Sequence, residues 1–132
     1  MPKFVRLNHT WNAEPNAPDP EVSVAGSNVQ LLFRPDGWRP GTSRKMLVFS
    51  ECAIWRLGPT NDEGWYLGQC RYSKIAPAWG EFYELEGYDP LRYGADDWLT
   101  PSSPGAGDNH YLFYFRDETF ECMAAGWTLS ID

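Results

Sequence analysis

The stretch "HYLFYFRDETFECMAAGWTLSI", His110 to Ile131, holds three consecutive strand-forming runs and no helical period. Arg116-Asp117-Glu118-Thr119 reads as a turn, which sets Phe115 against Phe120, Phe113 against Cys122 and Leu112 against Met123. Both faces of such a hairpin are mostly apolar, as expected of strands central to a sheet and covered on both sides. In the last run Trp127, Leu129 and Ile131 alternate with Thr128 and Ser130, the period of a half-buried strand that seals a sheet.

The same texture extends towards the N-terminus. Short alternating runs at 3–9, 21–26, 28–34, 45–58, 64–73 and 80–87 stand between clusters of Gly, Pro, Asn and Asp. With Ala25-Gly26-Ser27-Asn28 at a turn, Val24 faces Val29 and Val22 faces Leu31, and these four share a face with Phe33. A slip of one residue would turn that whole face to water. A second hairpin is expected around Pro59–Glu63, pairing Leu57 with Trp65, Trp55 with Leu67 and Glu51 with Arg71. It also sets Cys52 opposite Cys70.

Three Pro- and Gly-rich segments connect the runs. Asp89-Pro90 is a helix-start signal, Asp as cap and Pro at the first position, so a short helix is expected within the 88–109 connection. "SSPGAGDN" at 102–109 lacks the Lys and Ser/Thr of a phosphate loop and reads as a flexible connection. The expected fold is all-β, an antiparallel β-sandwich or partly open barrel of about eight to nine strands, with residues 1–132 as one domain.

Charge narrows the partners. Eleven Lys and Arg against eighteen Asp and Glu give a net charge of −7. Nucleic acid and anionic membrane surfaces select cationic proteins, so neither is an expected partner. A basic protein, or alternatively a neutral small molecule or sugar, is compatible. No apolar run has the length of a membrane span or a signal-peptide core, and three cysteines without a secretory segment read as reduced thiols, so the cytoplasm is the expected location.

No motif for catalysis, cofactor or metal stands out. The two histidines, His9 and His110, lie at opposite ends of the chain at strand edges, where a structural hydrogen-bonding role is expected. No nucleophile elbow, calcium loop or His/Cys ligand spacing is present, and no cofactor or metal is expected. The unusual feature is aromatic content, seven each of Trp, Tyr and Phe. Trp and Tyr in loops either cover the ends of a sandwich or act as binding anchors. On that basis the candidate binding residues are Trp38, Trp79, Arg92, Tyr93, Asp96, Asp97 and Trp98.

Three functions follow. The first is a non-catalytic, acidic protein-interaction module of inhibitor or antitoxin-like type, in which acidic aromatic loops meet a basic partner. The second is a small-ligand or carbohydrate-binding module, with Trp38, Trp79 or Trp98 stacking on the ligand. The third is a small hydrolase with paired carboxylates drawn from Asp62, Glu63, Glu81 and Glu84. Enzymatic activity ranks last.

Overall fold

A computed structural model describes residues 2–59, 62–68, 71–73 and 75–131, with the side chains of Asp62 and Glu63 outside the description. Among the described residues nine strands form two antiparallel sheets. In chain order they are β1 (Lys3–Arg6), β2 (Glu21–Ala25), β3 (Asn28–Phe33), β4 (Lys45–Ser50), β5 (Ile54–Gly58), β6 (Phe82–Glu86), β7 (Asn109–Tyr114), β8 (Thr119–Ala124) and β9 (Gly126–Ile131). The five-stranded sheet runs β1-β6-β7-β8-β5 and the four-stranded sheet β2-β3-β4-β9. They pack as an open sandwich, and no barrel closes among the described strands.

The layer between the sheets follows from alternation. Val29, Leu31, Phe33, Leu47 and Phe49 from one sheet meet Phe82, Tyr111, Phe113, Phe120 and Cys122 from the other, all 2% exposed or less. Phe49 stacks on Phe120 at 5.2 Å and Phe82 on Phe113 at 5.3 Å. The β2–β3 register is the expected one, with Val22 on Leu31 and Val24 on Val29.

Two long apolar runs change sheets midway. β4 ends at Ser50, Glu51 takes a left-handed φ of 50°, and β5 begins at Ile54 in the opposite sheet. β8 likewise gives way to β9 within two residues, and the Ala125 N–H donates to Ser50 O at this crossing. Such bends are how one strand serves both layers of a sandwich.

The structure corrects four expectations. The hairpin around Pro59–Glu63 does not form: β5 pairs with β8, and Asp62–Tyr66 is a short helix, α1. Trp65, Leu67 and Arg71 therefore do not face Leu57, Trp55 and Glu51. Cys70 lies outside the described residues; Cys52 donates its thiol to Ile54 O at 3.3 Å and accepts from the thiol of Cys122. The helix expected within 88–109 is a turn: Asp89 does cap it, accepting from Leu91 N–H at 2.9 Å, but the chain leaves after Gly94. The β7–β8 register is moved by two residues, so Phe113 faces Phe120 and Tyr111 faces Cys122, which preserves the faces. Finally, Gly105 and Gly107 do not read as a flexible tether, because their N–H groups donate to Cys52 O and Glu51 O at 2.8 and 2.9 Å.

Candidate functional site

The sheets differ in what covers their outer faces. The outer face of the five-stranded sheet is packed under the chain between β5 and β6 and the chain after β6. Tyr83, Leu85, Leu112 and Tyr114 from this face form a second apolar cluster with Tyr72 and Ala76, flanked by Phe4, Trp65, Ile75 and Trp79. All six residues of β8 are buried as a result.

Within this covering lies a polar network centred on Glu121, which is 0% exposed. Arg71 donates to its two oxygens, from Nε at 2.6 Å and from Nη2 at 3.2 Å. His110, also 0% exposed, contacts the carboxylate through Nε2 at 2.8 Å, and Arg56 adds Nη1 at 3.2 Å. Arg56 in turn forks onto Asp97 at 2.7 and 3.0 Å. Burial pushes Glu121 up, but the hydrogen bonds from His110 and Arg71 outweigh it and hold the carboxylate below its ordinary range. Asp97 is held low first by its Arg56 hydrogen bond.

The network fastens the covering to the sheet. Arg71 Nη2 donates to Arg92 O at 3.1 Å, and Tyr114 donates its hydroxyl to Arg71 O at 2.9 Å. Tyr72 donates to Asp89 Oδ2, with burial the larger and this bond the next cause of its raised pKa. His110 Nδ1 is 3.9 Å from the same Asp89 oxygen, beyond hydrogen-bonding range. The arrangement is that of a buried ionic clamp, with each Glu121 carboxylate oxygen accepting from two donors.

The expected site residues divide among four places. Arg92 and Trp98 gather around Arg71, whose guanidinium is 5.8 Å from the Trp98 ring centre, and Asp97 is bound by Arg56. Tyr93 is 63% exposed beside them, and Asp96 is exposed. Trp38 belongs to the β3–β4 loop, where Arg34 stacks on it at 4.4 Å and its Nε1 donates to Thr42 O at 3.0 Å. Trp79 packs on Tyr114 at 4.8 Å and lines a cleft of about 240 Å³ together with Glu14, Glu81 and Arg116. Glu84 shares a face with Glu86; burial first, then the Glu86 charge, raises its pKa. Asp62 and Glu63 carry side chains outside the description.

Glu121 and Arg71 were missed by reading the sequence, although a signal existed. A lone Glu in the six-residue apolar run "TFECMA" is expensive to bury without partners. In the observed β7–β8 register His110 pairs with Met123 and Leu112 with Glu121, so His110 lies diagonal to Glu121 on one face. The two-residue difference in register had separated them.

The surface of the covering is also distinctive. Among the described residues eight large hydrophobic side chains are exposed, and six of them, Tyr66, Leu67, Tyr88, Leu91, Tyr93 and Leu99, belong to these two segments. Tyr88 is 80% and Tyr66 74% exposed. No group of three or more potential metal ligands occurs among the described residues. Comparison of the chain with protein-family models, with curated proteins and with solved structures returns no match.

Proposed function

We propose that the chain is a non-catalytic protein-interaction module, of inhibitor or antitoxin-like type, that docks a basic partner on the covering of the five-stranded sheet. The observation that carries this reading is the concentration of exposed Tyr and Leu on that covering. Ordinary surfaces scatter such residues singly, whereas binding faces collect Tyr and other large anchors. The ionic clamp beneath supports the reading, because a surface held in place by buried charge pairs loses little conformational entropy on binding. A net charge of −7 favours encounter with a basic protein.

The test is capture of a basic protein from lysate on the immobilised chain at low salt, followed by its affinity for the chain carrying Tyr88→Ser/Tyr93→Ser and, separately, Tyr66→Ser/Leu67→Ser. These side chains are exposed, so the thermal midpoint is expected to hold while affinity falls by about a hundredfold, the scale of two hot-spot losses. Affinity unchanged in both variants would overturn the proposal. A second reading, a module for a neutral sugar or similar small molecule, is favoured by one observation, the cleft in which Trp79 is half-buried.

A further inference from the structure

The cleft beside Trp79 has mixed walls. Its aromatic side is Trp79, one side of which rests on Tyr114, itself only 1% exposed. Two carboxylates, Glu14 and Glu81, line it, with one cation, Arg116. Glu14 is fixed in orientation, since its Oε2 accepts from the N–H groups of Asn16 at 2.9 Å and Ala17 at 2.7 Å. Arg116 is directed to Asn16, its Nη1 3.3 Å from the carbonyl oxygen and 3.5 Å from Oδ1. The lining is therefore net acidic around an indole.

We infer that this cleft is a receptor for a single arginine side chain of the basic partner, an inference that rests on the protein-interaction reading above. A guanidinium is planar, so it stacks on an indole while its edge forks onto carboxylates, and an ammonium does only the second. The chain already uses the stacked geometry internally, with Arg34 over Trp38 at 4.4 Å. A volume of about 240 Å³ equals that of roughly eight water molecules, enough for the outer part of one long side chain. The site is also continuous with the exposed covering. Trp79 contacts Trp65 at 6.2 Å, and Trp65 contacts the exposed Tyr66 at 5.0 Å.

The experiment is a titration of the full chain followed by NMR at the Trp79 indole N–H and the Gly80 amide. The probes are Nα-acetyl-arginine amide, Nα-acetyl-lysine amide and methyl glucoside. Saturable shifts are expected with the arginine probe, with millimolar affinity weakened about tenfold by Glu81→Gln and by Trp79→Leu. Glu81→Gln keeps the side-chain size and the bond that Glu81 O accepts from Tyr114 N–H, and serves where Trp79→Leu loosens the fold. Lysine binding as tightly as arginine, a response to the glucoside alone, no saturation with any probe, or arginine shifts indifferent to Glu81→Gln would each overturn the inference. Partner affinity separates the two proposals. If the Tyr88/Tyr93 variant loses the partner while the arginine probe never saturates, the cleft inference alone fails. If the probe saturates while partner binding ignores the surface variants, the protein-interaction reading fails and the cleft stands as a guanidinium site.

Discussion

At Gly107 there is no space for a methyl group. A Cβ built there would lie 2.0 Å from Ala125 N and 2.2 Å from Ala124 C, backbone atoms that cannot move without opening the β8–β9 crossing. Gly107→Ala is therefore expected to cost about 3 kcal/mol, the upper part of the overpacking range, read as a lower denaturant midpoint at unchanged slope. Glu121 poses the opposite problem, a buried charge that is tolerated because three cationic or donor side chains surround it. Glu121→Gln leaves Arg71 and Arg56 short of a counter-charge and is expected to cost about 3–5 kcal/mol. The pH dependence has a definite sign. A carboxylate whose folded pKa lies below its unfolded value stabilises the protein above the unfolded value, near 4.3 for Glu, and that contribution is lost as pH falls through the folded value. Stability of the Gln variant should thus decline less steeply than wild type below about pH 5. Parallel acid limbs in the two proteins would refute the assignment.

Among the elements, the sandwich strands and their covering are held by different forces. The strands are joined by backbone ladders, as between β3 and β4 or β7 and β8, and by aromatic packing between the sheets. The covering is held by its apolar cluster and by a polar network in which Arg71 reaches Glu121 on β8 and Arg92 O in the following segment. Arg71→Met keeps most of the side-chain volume and removes these bonds. Amide exchange is expected to accelerate at Leu91–Gly94 and Ala76 while Leu31, Leu47 and Phe113 remain protected; uniform acceleration would show that the covering and the sandwich open as one unit. The same division explains what was legible in the sequence. The β2–β3 hairpin, the final alternating strand and the apolar faces of β7 and β8 follow from period-two patterning alone. The segment 64–73 alternates as well as any strand, yet Trp65 and Tyr72 serve an apolar cluster outside the sheet and Arg71 serves Glu121. Alternation reports two-sided environments and says nothing about which strand supplies the partner. The indole anchors were legible by type, whereas the grouping of Trp98 with Arg71, and of Trp79 with Glu14, depends on contacts far apart in the chain.

For the whole molecule, the net charge of −7 and the apolar covering should act on different rate constants of the proposed association. Glu121 and Asp97 are already committed to arginines, so long-range attraction comes from the remaining surface carboxylates and not from the network under the covering. Attraction of that kind works before contact and is screened over about 8 Å at physiological ionic strength. Raising salt from about 0.05 M to about 0.5 M is therefore expected to slow association by roughly tenfold or more and to leave dissociation nearly constant. Tyr88→Ser/Tyr93→Ser removes contacts made only after docking, so it should speed dissociation and leave both the association rate and its salt slope intact. Asp96→Asn supplies the converse, a small loss in association rate with dissociation unchanged. Stopped-flow association and surface-plasmon dissociation of these three proteins across the salt series separate the two contributions. An association rate that ignores salt would remove the basic partner from the proposal, and a tyrosine variant that dissociates at the wild-type rate would move the docking face away from the covering.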